Sequence, residues 1–151
     1  MKILAVCLGN ICRSPAAEAA IRDSAASAGV DVEVDSAGMG SWNIGQSPHP
    51  ESIAAGERVG LRVEGRARKV IVADFDRFDI LLAMDRSNLR ELQAIAPSAA
   101  AKAKVRLFRT YDPITDEDEV PDPWGGPAED YDETIRIVRA AADGLVDALK
   151  T

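Results

Sequence analysis

The chain has 151 residues, enough to bury a core without staples, and its 25 Asp and Glu outnumber 18 Lys and Arg to give a net charge of −7. That balance argues against nucleic acid and anionic membrane surfaces as partners, because both reward Lys and Arg. No stretch approaches the ~18–20 apolar residues of a membrane span, and the short apolar run after Lys2 reads as a strand rather than a secretory signal.

Residues 2–7 form the first predicted strand, a buried run through Ile3, Leu4, Ala5 and Val6. The segment Cys7-Leu8-Gly9-Asn10-Ile11-Cys12-Arg13-Ser14 follows, and Pro15 opens an Ala-rich helix over 15–28 closed by Gly29. Val30 to Asp35 alternates like a strand. Residues 36–48, rich in Gly, Ser and Asn, form a long loop, and 49–60 suggest a helix ending at Gly60. Phe78 to Met84 is a third, strongly apolar strand, 86–95 a helix before Pro97, and 104–108 a short fourth strand. Residues 110–128 make a second long loop, acidic and rich in Pro and Gly. The closing helix, 129–149, gathers Ile135, Val138, Ala142, Leu145, Val146 and Leu149 on one face. This alternation predicts an α/β fold: a single three-layer domain over 1–151, its four-stranded parallel sheet flanked by helices. Ligands of such sheets bind beyond the carboxyl ends of the strands, where Cys7, Ser36 and Asp85 are all expected.

The loop between the first strand and first helix has the composition of a phosphate cradle with a nucleophile at its base. Backbone N–H groups of Leu8 to Ser14 can converge on one point, and the following helix directs its positive end there. Arg13 adds a planar fork for two phosphoryl oxygens. The same field favours the thiolate of Cys7, the form that attacks phosphorus. Ser14 can donate a hydrogen bond to that sulfur. Gly9 and Asn10 are residue types that tolerate the left-handed backbone a curled loop needs. The loop is not a nucleotide-binding loop of the Walker type, since no Gly-Lys-Ser/Thr follows the glycine. The two cysteines, both on this loop, would close too small a ring to staple a fold, which suits a reducing, cytoplasmic setting.

On these residues the chain resembles the low-molecular-weight protein tyrosine phosphatases. Val6 to Pro15 matches their active-site loop, and Asp35-Ser36-Ala37-Gly38, Trp42-Asn43-Ile44-Gly45, Ala83-Met84-Asp85 with Ser87-Asn88-Leu89, and Asp122-Pro123 follow in family order. The resemblance implies a monomeric phosphomonoesterase that needs no cofactor or metal. Its partners would be phosphotyrosine-bearing proteins or peptides, and its loop would bind phosphate, vanadate or other oxyanions. Cys7, Arg13 and Asp122 would be catalytic, with Leu8, Gly9, Asn10, Ile11, Cys12 and Ser14 holding the phosphoryl group. Asp122, set between Pro121 and Pro123 with Trp124 to shield it, would protonate the leaving oxygen. Its acidic neighbours Asp116 to Glu119 read as a solvated face.

Trp42 and Trp124 sit on the two long loops among Gly, Ser, Asn and Pro, and read as walls of a slot for a flat aryl group. Ser36 and Asp85 match residues that brace the family's loop, although as strand-end residues they read equally as ordinary caps. The resemblance also implies that Cys12 can trap oxidised Cys7 as a disulfide; the alternative is loop packing under the phosphate. Two departures stand out. Trp124-Gly125 replaces a common tyrosine pair, which removes a phosphorylation point. Gly65 replaces a histidine that braces the loop asparagine, leaving Arg66 or Arg68 to substitute. His49, the only histidine, reads as a surface residue. Competing readings are an arsenate reductase, for which two cysteines are too few, a phosphocysteine carrier, and a non-catalytic phosphate-binding module.

Overall fold

The buried run at the amino end becomes the interior of the sheet. A computed structural model describes residues 1–150. Its elements are β1 (Lys2–Cys7), α1 (Arg13–Ala28), β2 (Glu33–Gly38), α2 (Pro50–Glu57), α3 (Asp74–Arg77), β3 (Ile80–Ala83), α4 (Arg86–Ile95), α5 (Ala99–Lys102), β4 (Val105–Leu107), a 3-10 turn at Phe108–Tyr111 and α6 (Ala128–Leu149). The four strands are parallel in the order β2-β1-β3-β4. Alternation along β1 splits the core into two layers. Ile3, Ala5 and Cys7 face α1, α2 and α6, while Leu4 and Val6 face Phe75, Leu92 and Ala101 of α3, α4 and α5. Ala16, Ala17 and Ala20 keep α1 thin, so that it lies close to both the sheet and α6. Each fully buried Leu, Ile or Phe contributes roughly 1.5–3 kcal/mol to this sandwich.

The strand order turns back at β1, whose neighbours on either side come later in the chain. The crevice beyond its carboxyl end is therefore the switch point at which such sheets bind ligands. Cys7 occupies that end, level with Gly38 of β2.

Several boundaries differ from the sequence expectation. β2 begins three residues late because Val30 belongs to the helix end: its N–H bonds to the Ala25 carbonyl at 2.9 Å. Ser36 consequently lies within the strand, opposite Ala5. α1 begins at Arg13 rather than Pro15, so the proline sits in a first turn that needs no N–H from it. α2 stops at Glu57, and the Leu61 N–H reaches back to the Gly56 carbonyl at 2.8 Å, which reverses the chain before residue 60. The single-turn helices α3 and α5 are too short to leave a periodic signal.

Candidate active site

The loop from Cys7 to Arg13 curls because its carbonyls are tied outward. The Cys7 carbonyl accepts from the Met39 N–H at 2.9 Å, Leu8 from Gly40 at 2.9 Å, and Ile11 from His49 at 2.8 Å. Asn43 Nδ2 donates to the Gly9 carbonyl at 3.2 Å, and Ser52 Oγ donates to that of Cys12 at 3.1 Å. With five carbonyls held by the scaffold, the amides are left to the concave side. No side chain caps the start of α1, so its first N–H groups are also available to an anion.

Asn10 is the hub behind the curl. It is the only non-glycine residue with positive φ among the described residues, at 56°. Its Nδ2 donates to Ser14 Oγ at 2.8 Å and Ser36 Oγ at 3.0 Å, and its Oδ1 accepts from the Arg68 N–H at 2.9 Å. Arg68 thus supplies the brace that Gly65 lacks, through its backbone. That backbone is held in turn by the Arg68 guanidinium, which forks onto buried Asp74 at 3.0 and 3.1 Å and reaches Asp35 at 3.1 Å. Gly9 corrects the expectation of left-handed backbone, since its φ is not positive. A Cβ there would lie 2.7 Å from Asn43 Nδ2 and would push that amide from its bond to the Gly9 carbonyl.

Cys7 Sγ lies 3.0 Å from Ser14 Oγ and 3.3 Å from the Asn10 N–H. Arg13 is buried at 3% exposure, and its Nη1 donates to Asp85 Oδ2 at 2.6 Å and to the Val120 carbonyl at 3.1 Å. Burial works against the guanidinium charge, but Cys7, Asp85 and Asp122 together hold its pKa above the usual value. The other oxygen of Asp85 caps α4 by accepting from the Asn88 N–H at 2.8 Å, so the residue serves both readings at once.

A cleft of about 320 Å³ opens over this floor. Cys7, Leu8, Gly9, Ile11, Cys12 and Arg13 line its base, and Trp42, Asn43, Asp122 and Trp124 its rim. The side chains of Asn10 and Ser14 are buried, at 2% and 0% exposure, and bond to one another behind the loop. Asp122 Oδ2 stands 3.8 Å from Arg13 Nη2, and Oδ1 accepts from the Trp124 N–H at 3.1 Å. The expected shielding by Trp124 is not found: the Asp122 side chain is 46% exposed and Trp124 68%. Trp124, set between Pro123 and Gly125, has little packed around it, so an aryl group between the tryptophans would have to exclude the water.

The family model for low molecular weight phosphotyrosine protein phosphatase matches residues 2–151. A low molecular weight protein-tyrosine-phosphatase of Streptomyces coelicolor is 39% identical, with 99% of this chain and 93% of that protein aligned. The low molecular weight phosphotyrosine protein phosphatase of Sus scrofa is 37% identical over 91% of each chain. Among solved structures, a protein tyrosine phosphatase from Entamoeba histolytica, with Hepes in its active site, superimposes with a TM-score of 0.96 at 35% identity, covering 99% of this chain and 97% of that one. The chain belongs to the low molecular weight phosphotyrosine protein phosphatase family. Nothing in these comparisons favours the reductase, carrier or binding-module readings.

For a phosphatase of this family, Cys12 is the second thiol of interest. It is free and 5% exposed, and burial, then the neighbouring charges of Cys7 and Asp122, push its thiol up to about 12. The Cys12 thiol is therefore held in its protonated form. If Cys12 traps oxidised Cys7, its sulfur attacks the Cys7 sulfenic acid and displaces hydroxide to form a disulfide. After brief peroxide treatment and then thiol, the wild-type phosphatase is expected to regain a larger share of activity than Cys12→Ser. Equal recovery of the two would assign Cys12 to packing alone.

Other residues of this phosphatase site escaped the sequence. Asn43, Ser52 and the amides of Met39 and Gly40 act by holding loop carbonyls, a role no residue type announces. His49 is not a surface residue. It is half-buried, stacks on Tyr131 with ring centroids 5.1 Å apart, and caps α2 by accepting from the Glu51 N–H at 3.1 Å. Asp118 and Glu119 are not merely solvated either: Arg86 grips Asp118 at 2.6 and 2.7 Å, and its N–H bonds Glu119 Oε2 at 2.9 Å.

Proposed function

We propose that this chain hydrolyses phosphotyrosine and related aryl phosphate monoesters through a phosphocysteine intermediate, with residues 1–151 acting as one catalytic domain. The observation that carries the reading is the convergence of Cys7, Arg13 and Asp122 on one cleft rimmed by two tryptophans. Cys7 Sγ attacks phosphorus in line as the ester oxygen leaves opposite. The inward amides and Arg13 take the charge on the equatorial oxygens, and the ties to Asp85 and Val120 hold the fork without reorganisation. Asp122 donates its proton to the departing tyrosyl oxygen. It then takes a proton from the water that attacks the phosphocysteine, which releases phosphate and returns the thiolate. Ser14, already bonded by Asn10 Nδ2, keeps its own proton to donate to the sulfur as that sulfur departs.

The two tryptophans at the cleft favour a flat aryl ring between them over phosphoserine, which has no ring to fill that space. No described helix is long and apolar enough to cross a membrane. The two free thiols support a reducing, cytoplasmic setting, and we assign a monomer on the family resemblance. Purified protein is expected to release phosphate from a phosphotyrosine peptide in the presence of a chelator and to be inhibited by vanadate. Absence of chelator-resistant, vanadate-sensitive release would overturn the assignment.

A further inference from the structure

Arg109 is buried to 9% exposure at the 3-10 turn after β4, outside the cleft. Its Nη1 donates to the Glu119 carbonyl at 2.9 Å, and its Nε has no hydrogen-bond partner among the described residues. Burying a guanidinium is costly unless its donors are satisfied. The charge also helps lower the Glu133 carboxyl of α6, but its one hydrogen bond goes to a backbone oxygen, so the place of that oxygen matters.

The oxygen begins the segment that ends in Asp122. The same peptide is held on its other side by the Val120 N–H, which donates to the Met84 carbonyl at 2.7 Å, and the following carbonyl, that of Val120, accepts from Arg13. Pro121 and Pro123 then fix two backbone torsions around Asp122, so few free rotations separate the anchored peptide from the carboxyl group. The turn that carries Arg109 is itself rigidly mounted. A Cβ on Gly144 of α6 would overlap the Tyr111 carbonyl, so turn and helix touch backbone to backbone. A continuous path thus runs from α6 through the turn and Arg109 to the acid loop.

We infer that Arg109 is a positioning residue for the reaction, fixing the Glu119 carbonyl so that Asp122 meets the leaving oxygen. The inference rests on the phosphatase reading and adds to it a residue that touches neither substrate nor the phosphate loop. It predicts a specific signature, because misplacing the acid slows expulsion of a basic leaving group far more than that of an acidic one.

The test compares kcat/KM for phenyl phosphate and p-nitrophenyl phosphate in wild type, R109M and R109K, with inorganic phosphate affinity and thermal melting as controls. In R109M the phenyl ester is expected to lose about 10- to 100-fold, as for a displacement near 1 Å. The nitrophenyl ester should lose only a few-fold, and phosphate affinity should hold. R109K, which reaches the carbonyl with a single point charge, should recover part of the difference. Equal loss for both esters, or none, in folded R109M overturns the inference and leaves the phosphatase assignment intact. If R109M does not fold, R109K decides alone: an unchanged ratio between the esters overturns the inference, and a widened one supports it. A wild type that hydrolyses neither ester overturns both readings.

Discussion

Cys7→Ser is expected to bind inorganic phosphate with little change and to hydrolyse phosphotyrosine peptides about 10⁴-fold more slowly or worse, as for loss of a nucleophile elsewhere. The cradle is made of loop amides and Arg13, whose ties to Asp85 and Val120 do not involve the sulfur. The outward carbonyls are held by Met39, Gly40, Asn43, His49 and Ser52, so the curl survives the change. The hydroxyl, however, needs a base to become a nucleophile, and the carboxyl over the cleft, Asp122, must carry its proton to the leaving oxygen in that same step. His49, the only histidine, is committed to the Glu51 amide and to Tyr131. Isothermal titration with phosphate and single-turnover kinetics separate the two properties. Near-normal turnover by the serine variant would remove Cys7 from the chemistry.

Asp122→Ala is the second large effect, and its size depends on the ester. A positioned acid contributes typically ~10²–10⁴-fold, and kcat/KM for phenyl phosphate is expected to fall within that range. For p-nitrophenyl phosphate, whose oxygen departs readily without a proton, the loss should be far smaller. Phosphate affinity should hold or rise, because the change removes a carboxylate 3.8 Å from Arg13 Nη2 and so a competitor for its charge. A uniform loss across leaving groups would take Asp122 out of the acid role. The same variant, slowed at the first step but still able to bind, suits capture of phosphotyrosine proteins for identification.

The acidic net charge of −7 bears on capture. Asp118 and Glu119 are balanced locally by Arg86, while Asp116 and Glu117 are left exposed beside the acid loop. A substrate anion therefore approaches a negative surface and is drawn only by the pocket itself. Lower salt lengthens the reach of that repulsion along with the attraction.

Much of this protein lies in neighbouring residues. The apolar run before Cys7, the Arg13-Ser14 pair after it and the proline-flanked Asp122 are local patterns, and local patterns determine which chemistry is present and in what chain order. The alternation of strand and helix likewise determined the α/β class and the parallel sheet, because hydrophobic period is a property of a short segment. The exact bounds of β2 and α2 were not legible, since the Val30 amide is claimed by the helix before it and that of Leu61 by the turn after α2.

What only the tertiary structure decided is how the site is held. Asn10 meets Ser36 across 26 residues, Arg13 meets Asp85 across 72, and the Val120 carbonyl comes to Arg13 across 107. The last of these ties, like others in the site, runs through a backbone atom, which every residue type carries, so no letter marks it. The Arg68 amide braces Asn10, and Arg109 donates to a single carbonyl oxygen. A sequence names the groups that react, because reactivity belongs to side chains. It stays silent on the groups that aim them, because aim comes from where the folded backbone brings its ordinary donors and acceptors.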